Sequence, residues 1–141
     1  MPLPTPCRVL VVDDHPDTAE TFAEIIKGMG HEARAVLDPQ LVSGAIAEFN
    51  PHVVFLDIGM PGLDGWTLAR QLRKTYPVGT LKLVALTAYA MADDHARSRA
   101  AGFDAHVAKP VDPDLLASIL EQCFAETVRI PPVRRIDDSR N

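Results

Sequence analysis

Val53-Val54-Phe55-Leu56 is an unbroken apolar run that ends in a single carboxylate, Asp57, with Gly59-Met60-Pro61-Gly62 following almost at once. A run of β-formers this short, closed by Gly and Pro, predicts a buried strand. With no polar residue before Asp57, both faces of that strand must be covered, as they are in a parallel sheet. Asp57 then stands at the C-terminal end of its strand, and in an open α/β sheet that edge is where ligands and chemistry collect.

The rest of the chain repeats the pattern. Arg8-Val9-Leu10-Val11-Val12 is a second such run and ends in Asp13-Asp14. Asp17, with Glu20 three residues on, reads as the cap of a helix. Phe22, Ile25, Ile26 and Met29 give that helix an apolar stripe, and Gly30 stops it. Glu32–Val36 reads as a short strand. Asp38-Pro39 reads as a helix start with Pro first, the helix running to about Asn50 before Pro51.

After the Val53–Asp57 strand, a helix is expected over 65–76, carrying Trp66, Ala69, Leu72 and Arg73 and stopped by Pro77 and Gly79. The mostly apolar run 81–86 ends in Thr87. A helix over 91–101 has only Ala92, Ala96 and Ala100 for an apolar face, so weak packing is expected before Gly102 terminates it. A last strand, 104–108, leads into Lys109-Pro110. Asp112-Pro113 starts a final helix with Leu116, Ile119, Leu120 and Cys123 as its stripe.

Five strand–helix units in alternation imply an α/β fold of (βα)5 type: a doubly wound parallel sheet with right-handed crossovers and helices on both faces. The flavodoxin-like strand order 2-1-3-4-5 suits five units. Its switch point lies between strands 1 and 3, the two that end in Asp13-Asp14 and Asp57.

The chain's 141 residues suffice for one domain with a real core. Residues 1–7, with three prolines, read as an extended arm, residues 8–126 as the folded unit, and 127–141, with Pro131-Pro132 and arginines, as a tail or linker. No signal peptide and no span-length apolar run is visible, and Cys7 and Cys123 have no metal or redox spacing. A reduced, cytoplasmic setting fits, with no membrane role. Net charge is −5; the four arginines and two aspartates after residue 126 make that end +2, so the first 126 residues carry −7. An acidic core argues against direct nucleic-acid binding.

Four strand runs thus end in residues with chemistry: Asp13-Asp14, Asp57, Thr87 and Lys109. In a parallel sheet all four ends face one edge. Clustered carboxylates repel, raise one another's pKa and attract a cation. Oxygen ligands in an open site suit Mg²⁺ with several waters retained. Lys109 and Thr87 offer a positive charge and a hydroxyl to the oxygens of a transferring phosphoryl group, which the Asp57 carboxylate would attack. Each residue also has a plainer reading: Asp13-Asp14 as helix-capping loop residues, Asp57 as a turn starter, Thr87 as a cap, Lys109 as solvated surface. The histidines 15, 31, 52, 95 and 106 show no metal-ligand spacing, and all but His106 read as surface or loop residues. Trp66 reads as helix packing.

The set resembles the receiver domain of two-component response regulators, through Val11-Val12-Asp13-Asp14, Leu56-Asp57-Ile58-Gly59-Met60-Pro61-Gly62-Leu63-Asp64-Gly65, Leu86-Thr87-Ala88 and Lys109-Pro110. The resemblance covers residues 8 to about 125. It implies that Asp57 accepts phosphate from the phosphohistidine of a histidine kinase or phosphotransfer protein. It also implies that Asp14, Asp57 and the Gly59 carbonyl ligate Mg²⁺, with Asp13 acting through water, and that Thr87 and Lys109 contact the phosphoryl group. The Lys109-Pro110 bond would be cis. Such a domain catalyses its own phosphorylation and dephosphorylation and switches a downstream protein partner. Family members often carry Tyr or Phe three residues before the Lys; here His106 holds that place. It would either fill space vacated by a moving Thr87 or stay solvent-exposed without a signal. With only a short tail after residue 126, the chain reads as a single-domain regulator or as the receiver of a hybrid kinase. The competing readings are a phosphorylation-independent interaction module with this fold, and a Mg²⁺-dependent phosphohydrolase. Asp57-Ile58-Gly59 lacks the second Asp of the haloacid-dehalogenase-like pattern, which weakens the latter.

Overall fold

The computed structural model describes residues 7–59, 65–87, 92–109 and 112–129, without the side chains of 92–95 and 123–129. The extended arm 1–6, the loop 60–64, Ala88, the Pro110 peptide bond, the Cys123 side chain and the tail from 130 lie outside what is described.

Five parallel strands, β1 (Arg8–Val12), β2 (Glu32–Val36), β3 (Val53–Asp57), β4 (Lys82–Thr87) and β5 (Ala105–Ala108), form one sheet in the order 2-1-3-4-5. Helices α1 (Pro16–Gly28), α2 (Val42–Phe49), α3 (Gly65–Thr75), α4 (Ala92–Ala101) and α5 (Pro113–Arg129) alternate with them. The fold is the flavodoxin-like doubly wound (βα)5 arrangement expected from the alternation.

The period of two along each strand divides the core. Val9 and Val11 of β1, Val53 and Phe55 of β3 and Val84 and Leu86 of β4 pack with Phe22 and Ile26 of α1 and Leu116, Ile119 and Leu120 of α5. Leu10 and Val12, Val54 and Leu56, and Leu83 and Ala85 pack with Val42 and Ile46 of α2 and Leu68, Ala69 and Leu72 of α3 on the other face. Every residue of β3 and β4 is buried. That is why those runs carry no alternation in the sequence.

Local chemistry moves several boundaries. Asp17 does not cap α1; the helix begins at Pro16 with His15 in the cap position, and Asp17 lies in the first turn. The proline's fixed φ favours that first position, and the carboxylate that closes the preceding loop is Asp13, which accepts the His15 N–H at 3.0 Å. Asp38 accepts the Gln40 N–H at 2.9 Å, but the segment it opens is a 3-10 turn over Pro39–Leu41 before α2. Cys7, counted with the arm above, is fully buried, and its carbonyl accepts the Glu32 N–H. Helix α5 continues to Arg129, past the expected boundary at 126.

Helix α4 departs most from expectation. Ala96 and Ala100 are exposed, whereas Ser98 and Ala101 are buried. A half-buried arginine ties down the neighbouring turns: Arg73 of α3 donates to the carbonyls of Leu81 and Gly102 and pairs with Asp104 Oδ2 at 2.7 Å. Asp104 Oδ2 also accepts the Leu83 N–H, which fixes the approach of β5 to β4. Burial pulls the Arg73 pKa down, against the opposing charge and hydrogen bond of Asp104.

Candidate functional site

The parallel register delivers the strand ends to one place. Val12 pairs with Leu56, so Asp13 and Asp57 each emerge one residue beyond that pair. Asp57 pairs with Leu86, and Thr87 follows. Thr87 pairs with Ala108, and the Lys109 N–H donates to the Thr87 carbonyl at 2.7 Å, bringing Lys109 to the same edge.

Lys109 Nζ donates to Asp13 Oδ2 at 2.9 Å and to Asp57 Oδ2 at 3.1 Å. The second oxygen of each carboxylate closes its own loop: Asp13 Oδ1 accepts the His15 N–H, and Asp57 Oδ1 accepts the Gly59 N–H at 2.9 Å. The plainer readings of Asp13 and Asp57 as loop residues are therefore each true of one oxygen, while the other oxygen faces the lysine. Lys109 is not solvated surface; its side chain is 26% exposed and spans two buried carboxylates. Thr87 is buried beside them at the end of β4.

The charges are arranged more favourably than clustered carboxylates alone would be. Burial would raise the Asp13 pKa, but the His15 amide and Lys109 outweigh it and hold Asp13 below the usual carboxylate value. Burial would likewise lower Lys109, yet its hydrogen bonds to Asp13 and Asp57 and their charges raise it. The mutual raising expected among the aspartates thus does not hold for Asp13. A buried ion pair of this kind loses hydration on both sides, so its arrangement must be held by the fold.

Whether these residues suit a divalent cation can be judged from Asp14. Its Oδ1 is shielded from solvent and accepts no hydrogen bond. Oxygen or nitrogen atoms of Asp13, Asp14, His15 and Asp57 all lie within 4.8 Å of one another. A shielded carboxylate oxygen without a donor, beside further carboxylates, fits a hard cation.

Some contributors were not foreseen. Gly65 opens α3 so close to the strand end that a Cβ there would lie 2.5 Å from Ile58 Cα and 3.0 Å from the Asp57 carbonyl oxygen. Glycine is thus required for α3 to start this close to the end of β3. His15, read as a loop residue, is indeed exposed, but its Nδ1 is 3.4 Å from both Asp13 Oδ1 and Asp14 Oδ1. Its place directly after Asp13-Asp14 was the available signal. His106 is neither solvent-exposed nor fully enclosed: half-buried, its Nδ1 lies 2.9 Å from Ser98 Oγ of α4. Trp66 packs against the α2–α3 core, donates its indole N–H to the same Ser98 oxygen at 3.0 Å, and carries the Arg97 guanidinium 3.7 Å above its ring.

With this geometry in view, the family model described as the response regulator receiver domain matches residues 9–121. The chain belongs to that family. An uncharacterised 14.6 kDa protein of Leptolyngbya boryana is 30% identical to this receiver domain over 118 residues, covering 83% of this chain and 90% of that protein. The sensor histidine kinase RcsC of Escherichia coli strain K12 is 30% identical over 122 residues, 86% of this chain but only 12% of the kinase. A solved CheY-like receiver domain protein from Methanospirillum hungatei JF-1 superposes with a TM-score of 0.78 at 28% identity, covering 89% of this chain and 99% of that one. The receiver domain is thus similar both to a stand-alone chain and to a small part of a much longer kinase. Among the described residues, no helix is long and apolar enough to cross a membrane.

Proposed function

We propose that this chain is a phosphoacceptor: Asp57 takes a phosphoryl group from the phosphohistidine of a histidine kinase or phosphotransfer protein, with Mg²⁺ bound, and the phosphorylated domain changes its contacts with a downstream protein partner. The observation that carries the reading is the two-carboxylate grip on Lys109 beside the shielded, unbonded Asp14 oxygen.

One Asp57 carboxylate oxygen attacks phosphorus as the N–P bond of the phosphohistidine breaks; the bond's electron pair stays on the ring, which departs as a neutral imidazole because its other nitrogen already carries a proton. Asp14, Asp57 and the Gly59 carbonyl would hold the Mg²⁺, with Asp13 acting through water. The ion would offset charge on the phosphoryl oxygens. Lys109, already against Asp57, needs only to exchange a carboxylate for a phosphoryl oxygen. Thr87 supplies a hydroxyl from the adjacent strand end. Hydrolysis of the acyl phosphate resets the domain. We assign this unit to residues 7–129, with 1–6 as an arm and 130–141 as a tail or linker, and place it in the cytoplasm, without direct nucleic-acid binding.

Incubation with Mg²⁺ and acetyl phosphate, followed by intact mass and peptide mapping, tests the proposal. One phosphate on the peptide containing Asp57, absent in Asp57→Asn, is expected. No adduct on the wild-type chain would favour the phosphorylation-independent interaction module. Multiple turnover of phosphomonoesters would favour a hydrolase.

A further inference from the structure

We propose that His15 is a metal ligand of the acidic pocket, giving it an imidazole–carboxylate set that takes a transition ion of the zinc or cobalt class as well as Mg²⁺. The inference rests on the reading above that the pocket holds a divalent cation, and adds to it which ions the pocket distinguishes.

The geometry places the imidazole among the carboxylates. His15 Nδ1 is 3.4 Å from Asp13 Oδ1 and 3.4 Å from Asp14 Oδ1. Two ligands about 2.0–2.1 Å from one tetrahedral ion stand about 3.4 Å apart. The ring nitrogen and each carboxylate oxygen are therefore already spaced as neighbouring ligands of a single ion. The Asp14 oxygen facing the ring is the shielded atom that accepts no hydrogen bond.

The backbone of His15 is held while its ring is accessible. Its N–H donates to Asp13 Oδ1, its carbonyl accepts the Ala19 N–H at 3.0 Å, and Pro16 begins α1 immediately after it. The ring itself is 72% exposed, so an arriving ion meets it at the pocket mouth. The local charge suits a divalent ion: Asp13, Asp14 and Asp57 against Lys109 leave two negative charges.

Ion chemistry then separates this role from a plain hydrogen bond. Mg²⁺ takes oxygen ligands and retains water, so it draws little from an imidazole. Zinc, cobalt, nickel and copper ions bind imidazole well. A His15 that ligates must matter for the second group and not the first. A His15 that only hydrogen-bonds the Asp13 carboxylate must affect both groups alike.

Calorimetric titration of the full chain with MgCl₂ and, separately, ZnCl₂ or CoCl₂ tests this in wild type, His15→Ala and His15→Gln. The expected result is a loss of zinc and cobalt affinity of about tenfold or more in both variants, with Mg²⁺ affinity unchanged within about twofold. In wild type, the ¹⁵N resonance of the His15 Nδ1 should move on zinc addition, which distinguishes this ring from the other histidines. Parallel changes for all ions, unchanged zinc affinity, or an unmoved His15 resonance would overturn the proposal. Absence of Mg²⁺ binding in wild type would instead count against the cation assignment under the proposed function, while the zinc arm would still decide the role of His15.

Discussion

Helices α1 and α4 are held to the same sheet by different physics. Helix α1 buries Ala19, Phe22, Ala23 and Ile26, and the Phe22 ring meets Phe55 of the central strand with centroids 5.1 Å apart. Helix α4, among its described side chains, buries only Ser98 and Ala101, and its inward bonds are polar: Ser98 Oγ accepts the Trp66 indole N–H of α3 and meets His106 Nδ1 of β5. Apolar area is the main source of cohesion, at about 25 cal/mol per Å² buried. A segment that buries little of it opens and shifts at low free energy. The Asp13 loop leads directly into the firmly packed helix, whereas the Thr87 strand end lies toward the lightly packed one. The contrast suggests a fixed half that holds the acidic pocket and a movable half able to respond to it.

The largest expected effect lies on the fixed half. Phe22→Ala should destabilise the domain by about 3–5 kcal/mol, read from denaturant unfolding, because it leaves a cavity against Phe55. A smaller loss would mean that α1 is not the firmer element. Gly65→Ala comes next and acts between the halves. The new Cβ must displace Ile58, costing about 1–3 kcal/mol, and should slow acetyl-phosphate labelling of Asp57 as the loop shifts. Unchanged labelling would show that the seat of α3 does not position the site.

Ser98→Ala should cost only about 1 kcal/mol yet change Trp66 fluorescence and increase hydrogen exchange in α4. If exchange in α1 rises equally, the two halves are not separable. The smallest effect is in acid. Because its folded pKa lies below the ordinary value, Asp13 stabilises the fold fully above about pH 3.9, and that contribution is lost as pH falls through the folded value. Asp13→Asn should therefore reduce stability at neutral pH and flatten the acid limb of the stability curve. An unaltered limb would contradict the grip between Asp13 and Lys109.

How much of this could be read from the sequence follows the same division. The strands and their order were legible because β1, β3 and β4 are mostly apolar runs leading into chemistry-bearing residues, and the pocket followed because a parallel sheet must bring those ends together. The buried face of α4 was not legible. Asp93, Asp94, His95, Arg97 and Arg99 give it no apolar period, and the partners of Ser98 lie 32 residues before it and 8 after it. The role of Arg73 was hidden for the same reason, since Asp104 lies 31 residues away and only the fold makes the pair. The start of α1 was misjudged because Asp17 followed by Glu20 imitates a capping box, while Pro16 and the Asp13 carboxylate set the true beginning.

The central claim, a rigid half holding the pocket and a lightly packed half responding to it, is tested most directly by hydrogen exchange with mass spectrometry. The full chain would be compared with and without Mg²⁺ and the beryllofluoride mimic of phosphate on Asp57. Peptides from 92–109 should change their exchange markedly, while those from α1 change little. A larger change in α1 than in 92–109, or no change in either once the mimic is bound, would contradict the account.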